Sequence, residues 1–206
     1  MSFFSSQSDR LDRNRPTLVR SIRNHPLQDV ACGWNHTVAL TVLGEVLVWG
    51  DASHGKLGIG KTTWESEGYE CYCPVPWPLK FTDRLGGAVK IRQISCGNAH
   101  TAFITTHGHL YMCGSNDGGR LGLGRERLGT TVMVPELIEY MTDHTLAKVS
   151  CGKLLCICGY KQNEAKLSMR SEKDWTRVVH VVNLFRFFMS FPFLLSIASF
   201  IYFPLL

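Results

Sequence analysis

Two stretches of this chain are copies of one another. Residues 30–60 align with residues 94–124 without a gap when Cys32 is placed on Cys96, and 11 of the 31 aligned positions are identical. Six of the identical positions are glycines. Because self-similarity at a fixed spacing is the signature of repeat architectures, the sequence predicts small units that bury their faces against one another.

A third, partial copy extends the pattern. Residues 15–33 align with residues 134–152 without a gap, and this alignment places Cys32 on Cys151. The chain is therefore predicted to contain repeats over residues 1–152, followed by a polar irregular segment and a hydrophobic tail. The predicted parts are the end of one repeat (15–29), two full repeats (30–93 and 94–148), the start of the next (149–152), the polar segment (153–177) and the tail (178–206).

Each repeat has the pattern of short β-strands joined by tight turns. In the first copy, Thr37–Thr41 and Val46–Trp49 are rich in Val, Leu and Thr, which favours strands. Gly44 lies between them and Gly108 lies at the matching place in the second copy, as expected of a hairpin turn that needs positive φ. With 19 Gly, 8 Pro and 45% hydrophobic residues, the chain is expected to be folded and all-β.

Other shared glycines predict places where two backbones approach closely. In a radial array the inner strands crowd near the axis, and we expect the pairs Gly33/Gly97 and Gly50/Gly114 to lie there. His36 is expected to be the polar member of the innermost strand, where it would satisfy buried backbone groups.

The motif CG-x-x-HT-x-A-L-T-x-x-G-x-V-x-x-WG, followed by G-K-L-G-x-G, resembles the repeat of the regulator of chromosome condensation family. That family forms β-propellers, commonly of seven blades with four strands each. The resemblance covers about residues 15–152 and implies antiparallel four-stranded blade units in an incomplete propeller. The second copy departs from the motif by carrying Cys113 where Trp49 stands, which is a change in packing.

The resemblance implies a protein–protein interaction module that acts through its rim loops, because loops carry recognition while blades hold them in place. The two longest loops are expected at Lys61–Gln93 and Arg125–Lys148. Four aromatic residues of the first loop are candidate partner contacts, with packing onto the blade as the alternative, since aromatic side chains often dominate interfaces. They are Trp64, Tyr69, Tyr72 and Trp77.

No nucleophile, base and orienting acid can be assembled from the sequence, so no catalytic residue, cofactor or metal ligand is assigned. Exchange of guanine nucleotide on a small GTPase is an alternative, because the family's founding member performs it. A ubiquitin-ligase-associated repeat protein and a membrane-anchored propeller are further alternatives. The expected partners are other proteins. A net charge of +5 is too small to indicate nucleic acid or chromatin.

The segment Gly55–Thr62 fits the phosphate-binding pattern G-x-x-x-x-G-K-[ST]. Such a loop binds phosphate at the N-terminus of a helix that follows it. The residues after Thr62 show no helical pattern, and the second copy keeps the glycines but not the Lys-Thr pair. The interpretation is a turn of the blade rather than a nucleotide site.

Three of the eight cysteines occupy one repeat position, namely Cys32, Cys96 and Cys151. We expect small buried side chains at this position. Neither Cys71-x-Cys73 nor Cys156-x-Cys158 has the spacing of a zinc site. The N-terminus shows no secretory signal, which favours reduced thiols and a cytoplasmic or nuclear location.

The C-terminal tail has two alternative explanations. From Phe187 to Leu206 the sequence contains 20 residues without a charge, which is long enough for a membrane segment. A membrane-associated location follows if this segment is genuine. The second hypothesis is translation of an intron beyond Gly152, because a run of Phe, Leu, Ser and Pro is what a pyrimidine-rich tract encodes.

Overall fold

The computed structural model describes residues 18–60, 63–64, 69–83, 85–160 and 180–182. These residues form two complete four-stranded antiparallel sheets, a third sheet of three strands and a small two-stranded ribbon. Short 3₁₀ turns link them, at Arg20–Ile22, Ser53–Gly55, Asp117–Gly119, Arg125–Arg127 and Glu139–Met141. The prediction of all-β blade units is confirmed.

The first blade has the strand order β1-β2-β3-β6. Its strands are β1 Leu27–Cys32, β2 His36–Thr41, β3 Val46–Asp51 and β6 Tyr72–Leu79. The ribbon formed by β4 Thr63–Trp64 and β5 Tyr69–Glu70 lies in the connection between β3 and β6.

The second blade repeats this order, and a third blade follows. The second is formed by β7 Ile91–Cys96, β8 His100–Thr105, β9 Leu110–Ser115 and β10 Thr131–Leu137. The third is formed by β11 Leu146–Cys151, β12 Cys156–Tyr160 and β13 His180–Val182.

The repeat alignment carries each strand of one blade onto a strand of the next. The offset that places Cys32 on Cys96 superposes β1, β2 and β3 on β7, β8 and β9, end to end. An irregular register follows the first residue of the inner strand in all three blades, after Leu27, Ile91 and Leu146. The copies therefore share local backbone detail as well as topology.

The core lies between the blades rather than within each sheet. Fully buried side chains of neighbouring blades meet there, including Leu57, Phe103 and Ile104. Burying such apolar area against a neighbour is what stabilises a stacked unit. The inner strand of the first blade has no described neighbour on one side, so Val30 is 50% exposed whereas its counterpart Ile94 is 4% exposed.

The glycines after the inner strands mark the closest approach of the blades. A Cβ on Gly33 would lie 2.6 Å from the carbonyl oxygen of Gly97, and a Cβ on Gly97 would lie 2.7 Å from that of Gly152. Gly50 and Gly114 have φ of +104° and +115°, respectively, and each faces a backbone carbonyl of its own blade. The predicted close contact between inner strands is therefore present at Gly33 and Gly97. The same prediction is wrong for Gly50 and Gly114, because they lie on the third strands of their blades.

The prediction that His36 belongs to the innermost strand is wrong. His36 begins β2, the second strand of its sheet, whereas β1, β7 and β11 are the strands that adjoin one another near the axis. The His36 ring reaches across the blade interface to the Thr101 hydroxyl rather than to the backbone directly.

Three segments that were predicted to be loop or irregular contain strands. The predicted loop Arg125–Lys148 includes β10, the outermost strand of the second blade, and the start of β11. Residues 61–93 were expected to form an enlarged rim loop, but they include the outermost strand β6. Prolines at 74, 76 and 78 obscure this strand in the sequence, yet proline is tolerated at a sheet edge because its outward side needs no donor. The segment 153–177 contributes β12. Most of the tail 178–206 lies outside the described residues.

Within the described part of the chain, no helix is long and apolar enough to cross a membrane.

Candidate protein-interaction surface

One rim of the blades carries the connections that follow the first and the third strands of the blades. Consecutive strands alternate in direction, so the turns that follow β1 and the long connections that follow β3 end at the same edge of the blades. We call this edge the upper rim. Its described members are residues 33–35, residues 52–60, the β4–β5 ribbon, residues 97–99, residues 116–130 and residues 152–155. The opposite edge, the lower rim, carries residues 42–45, 80–83, 85–90, 106–109 and 138–145.

The four predicted contact residues fall into two groups. Trp64 and Tyr69 are register partners in the β4–β5 ribbon, which places both on the upper rim. Tyr72 and Trp77 lie on β6. Tyr72 is 6% exposed and therefore packs onto the blade, whereas Trp77 is 39% exposed on the outer edge. The structure therefore places Trp64 beside Tyr69 and places Trp77 elsewhere, on strand β6. Their role as partner contacts stays a prediction.

Trp34 is a surface aromatic residue that the sequence analysis did not propose as a contact. It lies in the turn between β1 and β2 on the upper rim and is 70% exposed. The signal was present, because a tryptophan beside Gly33 in a tight turn has little blade to pack against.

Hydrogen bonds hold the upper-rim loops to the blades. Ala52 N donates to Cys71 O at 2.7 Å, which closes the base of the ribbon connection. In the second blade, Asn116 is buried, donates from Nδ2 to Arg127 O at 2.6 Å and accepts from Leu121 N at 3.0 Å. These bonds keep the loops in a defined position over the sheets.

An ion pair closes the second upper-rim loop. The Arg127 guanidinium forms a two-pronged contact with the Glu136 carboxylate, and this contact raises the pKa of Arg127. Paired geometry of this kind gives orientation as well as attraction. The pair joins the 116–130 connection to strand β10, which itself lies within the predicted loop Arg125–Lys148.

The glycine-rich segment after β3 joins neighbouring blades. Gly60 N donates to Met133 O of the second blade at 2.9 Å. Gly55, Gly58 and Gly60 have φ near +70°, as residues without a Cβ permit. Strand β4 begins at Thr63, where a phosphate-binding loop would require a helix. The interpretation as a turn of the blade is therefore supported.

A buried polar chain connects this segment to the second blade. Lys56 forms a 2.6 Å ion pair with Asp51, and Lys56 O accepts from Thr101 Oγ1 at 2.6 Å. The Thr101 hydroxyl donates its only hydrogen to Lys56 O. His36 Nε2 must therefore be the donor in its 2.9 Å hydrogen bond with Thr101 Oγ1. Burial acts to raise the pKa of Asp51, but the hydrogen bonds from Lys56 and Ser53 and the positive charge of Lys56 together outweigh burial, so the pKa is lowered.

Burial also determines the charge of His36. Burial is the largest cause, the positive charge of Lys56 adds to it, and together they lower the pKa of His36 to about 3. The ring is therefore neutral in the folded state at physiological pH. It serves as a hydrogen-bond donor that links two blades.

The cysteines are all free thiols in the structure. Across the described residues, no group of three or more His, Cys, Asp or Glu side chains is arranged to hold a metal ion.

Comparison with known protein families identifies the repeats. The "Regulator of chromosome condensation (RCC1) repeat" model matches residues 6–40, 44–104 and 107–158. A second model of the same description matches residues 28–56 and 91–120. The matched residues cover more than half of the chain.

Curated relatives share these repeats. The chain is 32% identical over 145 residues to the ultraviolet-B receptor UVR8 of Arabidopsis thaliana, covering 70% of this chain and 30% of that protein. It is 33% identical over 142 residues to the E3 ubiquitin-protein ligase HERC2 of Homo sapiens, covering 66% of this chain and 3% of that one. The chain thus spans a third or less of these relatives.

Solved structures show the same fold. Prp20p of Saccharomyces cerevisiae superposes with a TM-score of 0.58 at 21% identity, covering 69% of this chain and 33% of Prp20p. Human WBSCR16 superposes with a TM-score of 0.52 at 23% identity, covering 64% of this chain and 30% of that one. The family models, the relatives and the blade geometry agree, and the chain belongs to the regulator of chromosome condensation (RCC1) repeat family.

Proposed function

We propose that the chain is a protein-interaction module that contacts its partner through the upper rim. The observation that carries this proposal is the placement of exposed Trp34 and of the β4–β5 ribbon at one edge of rigid blades. Aromatic side chains held on a fixed scaffold lose little conformational entropy on binding, which suits them to interfaces.

The lower rim supplies a comparison within the same molecule. It exposes Tyr140, which is 74% accessible, so an exposed aromatic residue occurs on each edge. The upper rim differs in carrying the ribbon and the long connections after β3 and β9, whereas each rim has an ion pair, Arg127–Glu136 on the upper and Lys90–Glu45 on the lower. The long connections give the upper rim more loop backbone than the lower rim, and loops are where recognition residues concentrate.

Alanine at Trp34 or Trp64 is expected to weaken binding of a partner about 30-fold if the residue is a dominant contact, since such residues contribute 2 kcal/mol or more. The measurement is a titration of a partner identified by proximity labelling with the full chain. Tyr140→Ala is the matched control on the lower rim, and it should leave the dissociation constant unchanged. Equal loss in Tyr140→Ala, or no loss in either tryptophan variant with thermal unfolding unchanged, contradicts the proposal.

Exchange of guanine nucleotide on a small GTPase is the alternative function. The resemblance to the family implies it, and the solved structure of Prp20p was reported together with binding of that protein to Gsp1p and histones. Release of labelled GDP from a panel of small GTPases, with and without the full chain, separates the alternatives. Accelerated release that Trp34→Ala abolishes would assign exchange activity to the upper rim.

A further inference from the structure

The third blade departs from the first two at one position of the hairpin between its first and second strands. In the first blade Cys32 is the register partner of Thr37, and in the second blade Cys96 is the register partner of Thr101. In the third blade Cys151 is the register partner of Cys156. A threonine is thus replaced by a cysteine directly opposite the cysteine that all three blades share.

The backbone geometry at this pair suits a cross-strand link. Gly152 N donates to Leu155 O at 2.8 Å, so the next pair outward, Cys151 with Cys156, occupies a non-hydrogen-bonded site of the ladder. Cα atoms of such pairs are about 4.5 Å apart, which lies within the range of about 4.4–6.8 Å that disulfides span. The two Sγ atoms are 3.5 Å apart. A bond between them requires no movement of either strand.

The surroundings of the pair shift the pKa values of the two thiols in opposite directions. The hydrogen bond with Cys156 is the largest cause that lowers the pKa of Cys151, and His100 adds to it. The same hydrogen bond and burial raise the pKa of Cys156. Cys151 is also the more exposed of the two, and its backbone N donates to Ser95 Oγ at 2.9 Å.

His100 lies beside this pair, and its electrostatic attraction lowers the pKa of Cys151. It is fully buried, and neither ring nitrogen has a hydrogen-bond partner among the residues described. At the preceding blade interface the equivalent His36 donates to the hydroxyl of Thr101. At the third blade Cys156 stands in place of that threonine, so this position offers the His100 ring no hydroxyl.

We propose that Cys151 and Cys156 form a redox-sensitive pair that hydrogen peroxide converts into an intrachain disulfide. The Cys151 thiolate attacks one peroxide oxygen, the O–O bond breaks, and the products are a sulfenic acid and hydroxide. The Cys156 sulfur then displaces the sulfenic oxygen, which leaves as water after taking up the thiol proton. The two sulfurs lose two electrons and peroxide gains them. A dithiol reductant reverses the change.

The inner cysteines of the other blades provide internal comparisons. Cys96 is opposite a threonine, and burial raises its pKa well above the usual value, so it stays protonated. Cys32 likewise is opposite a threonine. Neither has a cysteine register partner, and disulfide formation is therefore expected only in the third blade.

The test is peptide mapping of the full 206-residue chain after treatment with hydrogen peroxide. Trypsin cuts after Lys148, Lys153 and Lys161, so the disulfide joins peptide 149–153 to peptide 154–161. Cys158 is in the second peptide, and Cys158→Ser keeps the assignment unambiguous. The linked peptides are expected in the wild type and in Cys158→Ser, to disappear on treatment with dithiothreitol, and to be absent from Cys156→Thr.

Cys156→Thr is a suitable folded control, because threonine occupies this position in the other two blades and offers His100 a hydroxyl. Its thermal unfolding temperature is expected to be equal to or above that of the reduced wild type. Oxidation of Cys151 to sulfinic acid without the link, a link through Cys158, or no reaction of a folded wild-type chain at millimolar peroxide would each overturn the proposal.

Discussion

Replacing Gly97 by alanine is expected to lower the free energy of unfolding by about 3 kcal/mol or more. The added Cβ would lie 2.1 Å from Cε1 of the buried His100 ring and 2.7 Å from the carbonyl oxygen of Gly152. The backbone contact joins two blades, so relief requires the second and third blades to separate near the axis. Chemical denaturation of the full chain, followed by near-ultraviolet circular dichroism, measures the change.

Two other glycines are controls for this variant. A Cβ on Gly159 meets nothing within 4 Å and its φ is not positive, so Gly159→Ala should leave stability nearly unchanged. A Cβ on Gly129 also meets nothing, but its φ of +73° costs about 1 kcal/mol for a residue with a side chain. A loss in Gly97→Ala no larger than in Gly129→Ala would show that the blades do not meet closely at this glycine.

The blade architecture was predictable because the same sequence pattern occurs twice in the chain. A pattern that occurs twice with the same glycines reports backbone constraints that side-chain patterns alone do not. The pair Gly33/Gly97 was placed correctly between neighbouring blades for this reason, whereas Gly50 and Gly114 approach the backbone of their own blade. The turn after β3 was also predictable, since the second copy keeps the glycines of a phosphate-binding pattern without its Lys-Thr pair.

The outer strand β6 was not predictable from pattern. Its sequence alternates cysteine, valine and tryptophan with prolines, and proline ordinarily argues against a strand. Only the sheet topology shows that this strand lies at an edge, where missing N–H groups cost nothing. The irregularity in the ladder between β3 and β6 adds to the difficulty, because it interrupts the alternation of faces.

The exposure of the candidate contact residues could not be predicted from the sequence either. Aromatic residues in a long connection are equally compatible with packing and with exposure, and the structure places Tyr72 in one class and Trp77 in the other. Which rim a residue occupies depends on strand direction, and strand direction depends on counting all strands, including β6. The shared rim of Trp34 and the ribbon could be recognised only after that count.

Acidification from pH 7 to pH 5 is expected to reduce the free energy of unfolding by about 2 kcal/mol through His36 alone. Burial lowers the pKa of His36 to about 3 in the folded state, while the unfolded chain titrates near the usual value of 6.5. Below pH 6.5 the unfolded state therefore takes up a proton that the folded state does not. The stability contributed by the neutral ring is complete above pH 6.5 and is lost progressively down to pH 3.

Cys151 also reduces the free energy of unfolding as the pH falls. Cys151 has a lowered pKa in the fold, so its thiolate also loses stabilising effect as pH falls towards the folded-state value. Asp51 contributes only at lower pH, because its already acidic pKa is lowered further. The contribution of His36 to the pH dependence of unfolding is therefore obtained as the difference between wild type and a His36 variant under the same conditions.

His36→Gln isolates that share. Glutamine keeps an N–H donor for the Thr101 hydroxyl but does not titrate, so the variant should be less stable at pH 7 and lose about 2 kcal/mol less than wild type between pH 7 and pH 5. His25→Gln, at an exposed position, should retain the wild-type slope. Urea denaturation at each pH gives the values. If the free energy of unfolding changes with pH equally in wild type and His36→Gln, the His36 ring is hydrated in solution. The buried hydrogen bond between His36 and Thr101 would then be wrong.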